Sequence, residues 1–136
     1  MNLYKIGAVA KITGISVQAL RYYQQRGLIA PRQQLESGYR LYCAEVIERI
    51  KFIQRCQGIG FALEEILELL NLQQDPNAKA LEVKRRVDSK VQLVEQKLIE
   101  LEQLKTSLKQ LSASCSGEGY ISDCPIIDNL WSEQRY

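Results

Sequence analysis

Residues 5–29 read KIGAVAKITGISVQALRYYQQRGLI, two runs with helical apolar spacing parted by Thr13-Gly14. In the first run Ile6, Val9, Ala10 and Ile12 recur at that spacing, and Thr13-Gly14 breaks it. Ser16 then reads as an N-cap, because its oxygen can accept one of the backbone N–H groups that a helix start leaves unpaired. The second helix is expected from Val17 to Arg26. It stops at Gly27, where a left-handed residue carries no Cβ penalty. Two short helices joined by a tight Gly-containing turn predict a helix-turn-helix.

Downstream, Leu28-Ile29-Ala30-Pro31-Arg32 leads through a polar stretch to Ser37-Gly38-Tyr39-Arg40-Leu41-Tyr42. Extended residues flanking a polar loop predict a β-hairpin with Gly38 near its turn, which beside a helix-turn-helix is a wing. A third helix is expected over residues 44–57, with Val46, Ile47, Ile50 and Ile53 on one face. A fourth is expected over 63–70, with Leu63, Ile66, Leu67 and Leu70 inward. Asp75-Pro76-Asn77 is a linker, and a long helix over 78–113 follows. Its apolar positions Val83, Val87, Val91, Val94, Leu98, Leu101, Leu104, Leu108 and Leu111 step by three or four residues, close to a heptad repeat. At 1.5 Å per residue that helix is roughly 50 Å long. The rest of the chain is too small to cover its stripe, so a coiled-coil homodimer is expected. A Gly/Ser-rich loop, Cys115-SGEGYISD-Cys124, and a short helix from Pro125 to Leu130 complete the chain. The fold class is therefore mainly α, with a winged helix-turn-helix domain over 1–75, a dimerisation helix over 76–113, and an effector loop and tail over 114–136.

Apolar residues make up 46% and charged residues 25% of the 136, which excludes a disordered chain. No apolar run approaches the ~18 residues of a membrane span, and the N-terminus does not read as a signal peptide. A cytoplasmic location is the expectation. The net charge of +2 hides an asymmetry: residues 1–60 carry nine Lys or Arg against three acids, and residues 61–136 carry nine against thirteen. A basic half beside an acidic half points the first half at a polyanion. The absence of histidine removes Ser-His-Asp and Cys-His catalysis and every imidazole metal site. With no nucleophile–base pair or phosphate-binding glycine loop either, an enzyme is not expected.

Gln18, Arg21, Tyr22 and Tyr23 lie on the second helix. Arginine offers a fork of donors to guanine edges or phosphates, and tyrosine hydroxyls donate to phosphates. Three consecutive residues cannot all face DNA, and Tyr23 is the one expected in the core. Arg40 lies between Tyr39 and Tyr42 on the wing, a combination suited to the sugar-phosphate backbone.

The run at 5–29, then SGYRLY, then the long helix resemble the MerR family of transcription activators over nearly the whole chain. The resemblance implies that the second helix enters the major groove, the wing grips the backbone, and an antiparallel coiled coil holds two heads on a pseudo-palindromic operator. Carried onto this chain, Ser16, Val17, Gln18, Arg21 and Tyr22 are recognition-helix contacts, and Tyr39 and Arg40 wing contacts. It further implies an activator of a metal efflux or detoxification promoter. On effector binding such a dimer distorts the DNA so that RNA polymerase reads two promoter elements spaced too far apart.

The segment Cys115-x8-Cys124-Pro-Ile-Ile-Asp-Asn-Leu resembles the metal-sensing members, the copper-efflux type especially, which implies Cys115 and Cys124 as metal ligands. Pro125 at the first helical position places Cys124 at an N-cap, where the helix terminus favours the thiolate that a soft metal needs. Two thiolates from a short loop suit near-linear Cu(I), Ag(I) or Au(I). Mercury-, zinc- and lead-type members carry a further cysteine at the start of the dimerisation helix, where this chain has Ala80. The eight-residue loop is nearer the divalent sensors, and Hg(II) also accepts two thiolates, so Hg(II) or another divalent ion stays open. So do a thiol redox sensor using the same pair, a DNA-binding architectural protein that senses nothing, and a small-molecule sensor, although only about 20 residues follow the long helix. Cys43, at a helix N-cap, and Cys56, late in the third helix, read as small semi-buried residues.

Overall fold

The computed structural model describes residues 2–132. It forms two compact units, Met1–Arg86 and Val87–Tyr136. The first contains β1 (Leu3–Lys5), α1 (Ile6–Thr13), α2 (Val17–Gln25), β2 (Gln33–Gln34), β3 (Arg40–Cys43), α3 (Ala44–Gly58) and α4 (Leu63–Gln74). α5 (Ala80–Ala113) begins in the first unit and continues through the second, which adds a 3-10 turn, Ile121–Asp123, and α6 (Pro125–Trp131).

The helix-turn-helix forms as its spacing predicts. Gly14 takes φ 75° and its N–H returns to Ala10. The Ser16 hydroxyl accepts the Ala19 N–H at 3.1 Å. Gly27 ends α2 at φ 79°. Its N–H bonds the Gln24 carbonyl at 3.1 Å and the Leu28 N–H bonds that of Tyr23 at 2.9 Å, so two orphan carbonyls of the last turn are satisfied. This closure turns Leu28 and Ile29 into the core, where they meet Val9, Leu20, Ile50, Ile53 and Ile66. Ile12 departs from expectation and is 50% exposed. At 100° per residue, position 12 falls well off the face shared by positions 6, 9 and 10.

The wing is larger than the expected hairpin. β2 pairs antiparallel with β3, Gln33 opposite Leu41 and Gln34 opposite Arg40. Gly38 takes φ 92° in the connecting loop. On the other edge β3 pairs with β1, Leu3 opposite Cys43 and Lys5 opposite Leu41, so the order is β1-β3-β2. β1 escaped sequence reading because three residues are too few for a periodicity; its long-range partner makes it a strand. The same packing corrects the reading of Tyr42 as a backbone-facing aromatic. It is 1% exposed, with its hydroxyl donating to Gln24 Oε1 on α2.

In α3, Val46, Ile47, Ile50 and Ile53 are all buried. α4 runs four residues beyond the expected Leu70, burying Ile66, Leu69 and Leu70, while Leu63 and Leu67 pack against the core from its margin. An Asx turn, with the Asn77 N–H donating to Asp75 Oδ1 at 2.9 Å, precedes α5. The Lys79 N–H donates to Glu82 Oε2 at 3.0 Å, and the helix starts at Ala80. No residue of α5 is buried. Val87, Val91, Val94, Leu98, Leu101, Leu104 and Leu108 are each 42–61% exposed, so the chain does not cover its own stripe. Among the described residues no helix is long and apolar enough to cross a membrane.

Candidate nucleic-acid interface and metal centre

α2 divides cleanly. Leu20 and Tyr23 are buried, and the Tyr23 hydroxyl donates to Gln57 Oε1 at 3.0 Å. Gln18, Arg21, Tyr22 and Gln25 are exposed at one-turn spacing along the opposite face. Ser16 is exposed at the head of this face, with its oxygen occupied by the cap bond. Val17 is half-buried. Arg26 pairs with Glu64 and lies 6.0 Å from the Tyr22 ring centroid.

The wing meets this face. Arg21, Gly38, Tyr39, Arg40, Ile6 and Tyr42 surround a pocket of about 150 Å³. Arg21 and Arg40 come from elements far apart in sequence, yet both act on the Tyr42 hydroxyl. Burial raises the Tyr42 pKa above its ordinary value, and the two guanidinium groups oppose that rise. Tyr39 is 57% exposed. The Lys5 ammonium lies 4.4 Å from its ring centroid, within cation–π range. Lys5 was not singled out from sequence, because only the β1–β3 pairing brings it to the wing.

At the other end of the chain, Cys115 follows the close of α5 and Cys124 precedes α6. Gly117 and Gly119 take φ 84° and 88°, reversing the loop between them. The Gly117 N–H donates to Cys115 Sγ at 3.4 Å. The two sulfurs lie 3.8 Å apart as free thiols, both half-buried. Pro125 occupies the first turn of α6 and Cys124 its N-cap. The Cys124 thiol pKa is lowered, first by the Ile127 backbone N–H, then by that of Ile126 and by the Cys115 thiol; burial and Asp128 oppose this. The sulfur closes no regular cap hydrogen bond, so the effect is that of amide dipoles directed at it. Among the described residues no set of three or more His, Cys, Asp or Glu side chains converges on a common point, and the thiol pair is a two-donor arrangement. Cys43 and Cys56 are buried, and burial raises the Cys56 pKa.

Residues 4–73 match the family described as MerR HTH family regulatory protein, and residues 47–111 the one described as MerR, DNA binding. The chain belongs to the MerR family. It is 40% identical over 125 residues to the HTH-type transcriptional regulator CueR of Escherichia coli O6:H1, covering 92% of each chain. It is 34% identical over the same length to the heavy metal-dependent transcription regulator 2 of Rhizobium meliloti, covering 92% of this chain and 84% of that one. The solved structure of PbrR691 from Ralstonia metallidurans CH34 in complex with lead(II) superposes with a TM-score of 0.87 at 33% identity, covering 93% of this chain and 98% of that one. As a MerR-family protein the chain is a DNA-binding transcription regulator and not an enzyme. MerR regulators bind promoter DNA as dimers and contact RNA polymerase, and its similarity lies with metal-responsive members.

Proposed function

We propose that this chain is a metal-responsive activator that holds one monovalent soft ion, Cu(I) foremost and Ag(I) or Au(I) by the same chemistry, between Cys115 and Cys124. The observation that carries this is the pair of free thiols 3.8 Å apart, one with a lowered pKa, with no third donor converging among the described residues. Soft thiolates select soft ions, and Zn(II) in a structural site wants four ligands. A near-linear ion would lie between its two sulfurs, which would then stand farther apart than the 3.8 Å of the free thiols. Gly117 and Gly119, free of a Cβ, would leave the loop backbone the freedom to open around it.

On the DNA side, Gln18, Arg21 and Tyr22 face the major groove, with Ser16 and Val17 at the head of α2. Tyr39 and Arg40 hold the backbone from the wing. The apolar stripe of α5 joins two copies as an antiparallel coiled coil, placing two such heads on one promoter site. Cys115 follows α5 and Cys124 is the N-cap of α6, so fixing the sulfur–sulfur distance constrains how α6 leaves α5. The effector activates by favouring the DNA-distorting state of the dimer over the resting one.

The test is a Cu(I) titration of the reduced dimer against a competing chelator, with Hg(II) and Zn(II) in parallel. Tight Cu(I) binding, lost in Cys115→Ser and in Cys124→Ser, with weak Zn(II) binding, is the expected result. Preference for Hg(II) or Zn(II) would overturn the monovalent assignment, and no tight binding of any ion would overturn metal sensing.

A further inference from the structure

We propose that Lys5 is a DNA-phosphate contact beside the pocket that Arg21 and Arg40 line, held in place by the ring of Tyr39. The proposal rests on the DNA-binding reading above and extends it to a residue outside the helix-turn-helix and the wing.

Three segments distant in sequence converge here: the end of β1, the exposed face of α2 and the wing. Antiparallel pairing sets Lys5 opposite Leu41, on the same sheet face as Leu41 and the opposite face from Arg40. The Lys5 ammonium lies 4.4 Å from the Tyr39 ring centroid. Tyr39 is in turn a wall of the pocket of about 150 Å³ that Arg21 and Arg40 also bound. Ile6, the residue after Lys5, forms another part of the wall.

The charge balance points to an anion. Among the described residues no ion pair is formed by Lys5, Arg21 or Arg40, whereas Arg26 pairs with Glu64, Lys51 with Glu48 and Arg86 with Glu68. Arg21 and Arg40 in the pocket wall and Lys5 beside Tyr39 are like charges, and a nearby anion is attracted to all three. Among the described residues no carboxylate lines the pocket, and the Tyr42 hydroxyl in its wall is tied to Gln24. A phosphodiester suits this set. The guanidinium forks donate in pairs to phosphate oxygens, and lysine adds a compact point charge. The aromatic face holds the long lysine stem at a defined place, which reduces the entropy lost when the ammonium engages. A DNA phosphate is favoured over a free one because the pocket lies between α2 and the wing, the two elements that one duplex would touch together.

The experiment measures duplex affinity against salt concentration, using a labelled duplex that the wild-type dimer selects from a random-sequence pool. Each neutralised phosphate contributes a slope of about 0.9 in log affinity against log salt, so Lys5→Gln is expected to flatten the slope by about 1.8 per dimer. The weakening should be uniform across duplex sequences, as a phosphate contact requires. Lys5→Arg should keep the slope, and Lys5→Gln should lose less in a Tyr39→Leu background. Circular dichroism melting checks that Lys5→Gln folds as the wild type does; if it does not, Lys5→Met, which keeps the apolar stem on Tyr39, replaces it. A wild-type slope in the folded neutral variant would overturn the proposal while leaving DNA binding intact. Failure of the wild type to bind any duplex would overturn the DNA-binding reading, and this proposal with it.

Discussion

Replacing Tyr42 and Tyr39 one at a time separates stability from recognition on the same wing. Tyr42 is 1% exposed and Tyr39 57%. Tyr42→Phe removes only the hydroxyl that meets Gln24, and a hydrogen bond of this kind is worth about 1 kcal/mol net. Tyr42→Ala removes the ring from the floor between α2 and β3, and truncating a buried aromatic costs about 3–5 kcal/mol. Tyr39→Ala deletes a side chain that touches mainly solvent and Lys5, and should change stability by no more than about 0.5 kcal/mol. Urea unfolding followed by circular dichroism measures all three, at one fixed protein concentration because dimerisation contributes to the apparent stability. The order Tyr42→Ala, Tyr42→Phe, Tyr39→Ala, from least to most stable, is expected. DNA affinity of the folded protein should fall in Tyr39→Ala. A Tyr42→Ala protein as stable as Tyr39→Ala would refute the assignment of Tyr42 to the core.

The cysteines should alkylate in an order set by thiolate fraction and access. At neutral pH iodoacetamide is expected to modify Cys124 first, because its lowered pKa leaves more thiolate there, and to slow as pH falls through that pKa; peptide mass spectrometry follows it. Cys56, buried and with its pKa raised, should react only on unfolding, and early labelling there would contradict its burial. Ser16→Ala removes the α2 cap and should cost about 1 kcal/mol in the same urea assay, with Ser16→Asp recovering it. Leu101→Glu places a charge in the α5 stripe of both copies and should yield monomer in sedimentation; an intact dimer would move the interface off that stripe.

Much of the molecule was legible because it is local. The caps at Ser16 and Gly27 act within three or four residues, and the burial of Tyr23 follows from the helical spacing that exposes Gln18, Arg21 and Tyr22. Where the reading failed, the deciding partner lay far along the chain. β1 is a strand because Leu3, Tyr4 and Lys5 find β3 some 38 residues on, and three residues carry no period of their own. Ile12 shares the apolar spacing of its run but not the angle of Ile6, Val9 and Ala10 about the helix axis, so it faces solvent.

The sequence by itself determined the helix-turn-helix, the wing, the heptad stripe of α5 and the pairing of two cysteines in one terminal loop. Each is written in periodicity, capping residues or short spacing, and backbone geometry translates these directly into structure. Only the tertiary structure decided that Tyr42 lies under α2 while Tyr39 is exposed, that Lys5 stands over the Tyr39 ring, and that the two sulfurs lie 3.8 Å apart. Those outcomes depend on how a helix packs on a strand, which strand edges pair, and how two glycines turn a loop. Such contacts join residues whose separation in the chain leaves no local trace of their meeting.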